Sequence, residues 1–146
     1  MQRSDYLQRT GVAPSRTGGF NRVADAWGLE ELRQVIRREL RTHTGQQALA
    51  RMIGVGRSVV RKFLEMRTVP EAANLDRIRE WAADRPAAET PVELVCLALL
   101  MDDLPASARY GARLKLSEAL IHLYCEAGED VPRWLALEIE NRRRRP

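Results

Sequence analysis

Two short apolar-patterned stretches set apart by glycines, within TGQQALARMIGVGRSVVRKFLEMRT from Thr44 to Thr68, constrain this chain more than any other feature. Leu49, Ala50 and Ile53 fall at the i, i+1, i+4 positions of one helical face, and Val60 and Phe63 share a face a few residues further on. Gly54 stands where the first helix must stop, because the residue ending a helix commonly takes positive φ, which glycine does without a Cβ clash. Val55 then plugs the space between the helices, and Gly56 serves as N-cap of the second. Thr44 with Gln47 fits a capping box opening the first. Ala50 is small where the helices must cross, so a bulky or charged residue there would force them apart. The pattern predicts a tight helical hairpin.

The rest of the chain reads as helix too. Its 146 residues carry few aromatics and much Ala, Leu, Arg and Glu, and nowhere do β-branched and polar residues alternate as in a strand. The expected fold is all-α: a bundle built on the hairpin, followed by a C-terminal region of about three helices. Residues 1–21, polar and glycine-containing, read as a disordered basic arm, either entering a DNA minor groove or without a role. Residues 22–84 form the hairpin domain, 85–91 a linker, 92–141 a helical dimerisation or interaction region, and 142–146 a basic tail. Within these, a helix over 28–42 carries the stripe Leu29, Leu32, Ile36 and Leu40, and Pro70 opens a helix with Leu75, Ile78 and Trp81. A helix over 92–100 is apolar nearly all round and hence buried on several sides. The next, 107–127, turns Leu116, Leu120 and Leu123 to one side and stops at Gly128, and the last, 131–142, offers Trp134, Leu135 and Ile139.

Charge is laid out unevenly. Against a formal total of +4, the stretch from Arg33 to Arg67 holds nine cations (33, 37, 38, 41, 51, 57, 61, 62, 67) and two acids (39, 65), a local +7. Residues 88–140 hold four cations (109, 113, 115, 133) and ten acids, a local −6. Such a division suits one half made for a polyanion and another turned away from it. The second hairpin helix presents Arg57, Arg61 and Lys62 with no acid among them, a face that attracts phosphate. Arg33, Arg37 and Arg41 lie at i, i+4, i+8 along one ridge. That ridge is read as flanking a phosphate backbone, with pairing to Glu30 or to the acidic half as the alternative.

Gln46, Ala50, Gly54, Val55, Val60 and Phe63 together resemble the helix-turn-helix of the Cro and lambda-repressor family, over about residues 29–84. The resemblance implies a sequence-specific regulator of transcription, a repressor, reading the major groove of double-stranded DNA with the helix 57–65. It implies that Gln46 binds a phosphate and orients a recognition-helix side chain, and that Arg57 and Ser58 touch base edges. An arginine so placed reaches guanine O6 and N7 with a bidentate fork, whereas Arg61 and Lys62 position the protein on phosphates. The candidate DNA-contacting set is Gln46, Gln47, Gly56, Arg57, Ser58, Arg61, Lys62, Arg67 and Thr68. The last two are chosen by position, since the loop MRTVPEAA lacks the acid-glycine pair often found there in the family. A homodimer through the C-terminal helices is expected, because two motifs about 34 Å apart read two half-sites together. Two alternatives stand beside this reading: an antitoxin-like or adaptor module that keeps the hairpin as scaffold, and a DNA-binding protein of partition or phage function.

Other classes find little in the sequence. Cys96 and Cys125 lie in apolar runs and are expected to be buried free thiols, reduced in a cytoplasmic, nucleoid-associated protein. His122 lies three residues before Cys125, but a metal site would need two more ligands that the sequence does not offer, so no metal or cofactor is expected. Asp102 and Asp103 are adjacent and cannot face each other across a substrate, and Ser117 and His122 lack an orienting carboxylate, so an enzyme is not expected. No stretch approaches the ~18 apolar residues of a membrane span.

Overall fold

In a computed structural model, which describes residues 18–42 and 44–143, the chain is all-α. The helices are α1 (Gly18–Arg41), α2 (Gln46–Ile53), α3 (Arg57–Leu64), α4 (Ala72–Ala83), α5 (Val92–Asp102), α6 (Ala106–Ala127) and α7 (Arg133–Arg143). No described helix is long and apolar enough to cross a membrane.

The expected hairpin faces close a core. Leu49, Ala50 and Ile53 of α2 meet Val60, Phe63 and Leu64 of α3, Val35 and Ile36 of α1, and Ile78 and Trp81 of α4. Val55 in the turn is partly buried against this core, as is Ala88 in the irregular segment between α4 and α5. Ile36, Val60, Phe63 and Ile78 are wholly buried. Each such side chain contributes roughly 1.5–3 kcal/mol, which offsets the cost of ordering two helices of only eight residues. A second cluster joins Met66, Ala98 and Met101, with Leu104, Ala112 and Leu116 around it.

The first helix is longer than its apolar stripe predicts. It begins at Gly18 rather than near residue 28, so 18–21 are helical, and the expected arm at 1–17 falls outside the described residues. The reason is tertiary: Ala26 is buried, and Arg22 Nη2 reaches Asp103 Oδ1 at the end of α5 at 3.4 Å. The helix runs through Gly28, whose intrinsic cost is about 1 kcal/mol, and packs along α5, while the exposed Arg22–Asp103 pair adds little. The predicted capping box is also absent: Gly45 is the N-cap of α2 and no side chain caps it. Pro70 stands before the N-cap Glu71 of α4 rather than inside its first turn.

Among the helices after residue 91, α5 is buried on several sides and α7 buries Leu135 as expected, whereas α6 buries a different face. Leu94, Val95, Leu97, Ala98 and Met101 of α5 are inside, but Val92 and Leu100 are 52% and 59% exposed. On α6 the buried residues are Arg113 and Ser117, while Leu123 faces solvent. Cys96 and Cys125 are exposed, contrary to the expectation of buried thiols. An apolar run marks a helix without saying which of its faces a neighbour covers. Leu135 and Glu138 of α7 are buried, and α7 packs along α6.

Candidate nucleic-acid interface

The turn between α2 and α3 is set by Gly54, which takes φ 88° as its position predicts, while the Val55 amide donates to Ala50 O at 3.0 Å. Gly56, in extended conformation, is the N-cap of α3. With Val60, Phe63 and Leu64 held in the core, the spacing of one turn leaves Arg57 and Arg61, and Ser58 and Lys62, as two adjoining rows on the outer side. All four are exposed, as are Gln47 and Gly56, and Gln46 is partly exposed. Arg57 Nε lies 3.5 Å from Gln46 Oε1, so the first residues of the two helices stand side by side. Arg61 and Lys62 have no ion pair among the described residues.

The two remaining members of the expected set are placed differently. Arg67 is engaged with Glu65, Nε to Oε2 at 3.2 Å. Thr68, though exposed, borders a small cavity with Arg22, Asp25 and Arg109, past the far end of α3, an eight-residue helix of about 12 Å. The side chains of the Arg142–Arg145 tail lie outside what the structure describes.

The arginine ridge on α1 is not a phosphate-facing surface. Arg33 and Arg37 are buried, and only Arg41 is partly exposed, its Nη1 donating to Asn141 Oδ1 at 2.8 Å. The alternative reading, pairing with Glu30 and with the acidic half, is what the structure shows. Arg33 Nη1 donates to Glu30 Oε2 at 3.1 Å and Arg37 Nη1 to Glu138 Oε1 at 3.1 Å. Arg113, wholly buried on α6, bridges both carboxylates, with Nη2 2.6 Å from Glu30 Oε1 and 2.7 Å from Glu138 Oε1. Three guanidinium groups thus share two carboxylates from opposite ends of the chain. Burial would raise the Glu30 carboxyl, but the charge and hydrogen bonds of Arg113, with Arg33 and Arg37 nearby, hold it well below the usual carboxylate range. Glu138 is likewise held down by Arg113 and Arg37 against the effect of burial. Burial pushes the Arg33 guanidinium down, opposed by Glu30, whereas Arg113 is raised because its two carboxylates outweigh its desolvation.

This cluster holds the far end of α3. Arg33 Nε donates to Phe63 O at 2.9 Å and Arg37 Nη2 to Leu64 O at 3.1 Å, satisfying carbonyls that the helix terminus leaves open. Beyond them the chain makes a Schellman turn, with the Arg67 amide on Lys62 O at 2.9 Å and the Met66 amide on Phe63 O at 3.1 Å. Its left-handed position is filled by Met66, φ 58°, where glycine is usual. The Met66 side chain is buried, accepts from Arg113 Nη1 at its Sδ at 3.3 Å, and leaves its carbonyl to Arg109 Nη1 at 2.9 Å. At the near end, Arg77 Nη1 donates to Gly54 O at 3.1 Å. The sequence offered pairing with Glu30 or the acidic half as an alternative but named neither Arg113 nor Glu138 as partners, because pairing across 83 and 101 residues leaves no local periodicity. The one local signal was Glu30, three residues before Arg33.

Among the described residues, no three His, Cys, Asp or Glu side chains come together as a metal site. Comparison with protein-family models, with curated proteins and with solved structures finds no match to this chain.

Proposed function

We propose that this chain is a sequence-specific double-stranded-DNA-binding protein that represses transcription by occupying a promoter. The observation that carries the reading is the outer surface of α3, where Arg57, Ser58, Arg61 and Lys62 stand exposed without an acid while the opposite face is locked in the core. Arg57 and Ser58 lie at the N-terminal end, where a helix entering a major groove touches base edges. Gln46 beside Arg57 suits a phosphate contact that also steers the arginine. The reading needs only side chains on a rigid element, since the far end of α3 is tied to α1 through Arg33 and Arg37.

A homodimer fits this role, because one short helix offers less contact area than specific sites need. Exposed Val92 and Leu100 on α5 and Leu123 on α6 supply apolar surface for it. The protein then works on the nucleoid in the cytoplasm.

Selection from random duplexes by the purified protein tests the proposal. Recovery of a two-fold symmetric sequence, with discrimination against random duplex abolished in Arg57→Ala/Ser58→Ala while the circular dichroism spectrum is unchanged, supports it. Enrichment of nothing, or indifference to the double substitution, favours the hairpin as a scaffold for protein contacts.

A further inference from the structure

The face of the molecule formed by α1, α5 and α7 carries a cavity of about 350 Å³, within the size range of small-molecule sites. Its walls combine two chemistries. Leu94, Leu137 and the half-buried Trp134 are apolar, while Arg38, Arg41 and Arg133 bring three guanidinium groups. Glu89 is the one carboxylate among the lining residues. Two of the arginines are held in place: Arg38 Nη2 donates to Pro86 O at 2.7 Å and Arg41 Nη1 to Asn141 Oδ1 at 2.8 Å. Arg133 makes no hydrogen bond or ion pair with a described residue. A flat indole next to guanidinium groups and short aliphatic walls complements a flat apolar body bearing an anionic group, which neither bulk anions nor neutral aromatics match on both counts.

The geometry points to a binding site for a small aromatic carboxylate or similar organic anion, whose occupancy alters the hold on α3. The link is short. Leu137 on the cavity wall precedes Glu138, which accepts from Arg37, and Arg37 donates in turn to Leu64 O in the last turn of α3. A ligand wedged against α7 therefore acts on the group that positions the end of α3. The site stands on the cavity itself, whereas its regulatory consequence rests on the DNA-binding reading above.

The two parts are tested separately on the full chain. In the absence of DNA, indole-3-acetate is titrated while the indole N–H resonance of Trp134 is followed by NMR, with Trp134→Phe to assign it. A saturable shift is expected, with binding at least about tenfold weaker for the neutral indole-3-acetamide, for inorganic sulfate, and for Arg133→Glu protein, as removal of a charge-assisted hydrogen bond requires. No saturable shift, or equal affinity for the amide, overturns the site. In the second arm, saturating indole-3-acetate is expected to change the affinity for a selected duplex at least threefold. Binding of the probe with an unchanged duplex affinity overturns the coupling. A protein that binds the probe and no duplex at all refutes the DNA-binding reading and leaves the site standing.

Discussion

Replacing Arg113 with methionine is the sharpest test of how the two ends of this chain are joined. The side chain makes four hydrogen bonds to two buried carboxylates: Nε to Glu138 Oε2 at 3.1 Å, Nη1 to Glu30 Oε2 at 3.2 Å, and Nη2 to Glu30 and Glu138 Oε1 at 2.6 and 2.7 Å. Methionine fills most of the volume and supplies none of the donors. Arg33 and Arg37 remain as partners, but each reaches one carboxylate and also serves a carbonyl of α3. Removing one member of a buried ionic cluster costs about 3–5 kcal/mol. For a chain of this length that is a fall in melting temperature of about 10 °C or more. The pH dependence carries a second signature. Both carboxyls lie below their ordinary range in the folded protein, so the stability they contribute is complete above about pH 4.3 and is lost as pH falls toward their lowered values. Arg113→Met moves both back up, so the acid limb of stability, below about pH 4, becomes flatter than in the parent. Urea denaturation followed by circular dichroism from neutral pH into acid measures both effects. A destabilisation under about 1 kcal/mol with an unchanged acid limb would refute the reasoning, because the cluster would then be no more than a set of surface-like pairs. Adding Glu30→Gln to Arg113→Met should cost less than the two changes summed, since both remove the same Arg113–Glu30 contacts.

Arg61→Ala/Lys62→Ala should weaken binding to all duplexes alike and reduce the slope of log affinity against log salt by about 0.9 for each phosphate no longer neutralised, read by fluorescence anisotropy across a salt series. Met66→Gly relieves a left-handed residue worth about 1 kcal/mol but empties a buried site worth more, so a net destabilisation of about 1–2 kcal/mol is expected in chemical denaturation; a more stable variant would show that the side chain contributes nothing. Cys96 and Cys125 should both react with Ellman's reagent in native protein, and a thiol that reacts only in denaturant contradicts its exposure.

Local pattern alone was enough for the hairpin. The spacing of Leu49, Ala50, Ile53, Val60 and Phe63 identifies the inward faces, Gly54 the turn and Gly56 the cap, because period, helix stop and helix start depend on residues within about one turn of each other. The outward row of Arg57, Ser58, Arg61 and Lys62 follows from the same period, so the candidate interface was legible before any coordinates. Which charges are available was not. Arg33 and Arg37 carry the same sequence signature as Arg61, yet lie buried, Arg33 against Glu30 and Arg37 against Glu138, 101 residues further along the chain. The Glu30–Arg33 pair is local, but the packing of α6 and α7, together with the left-handed Met66 that Arg113 contacts, decides its burial, because the free energy of a buried ion cluster depends also on Arg113 and Glu138, which meet it only through the folded chain.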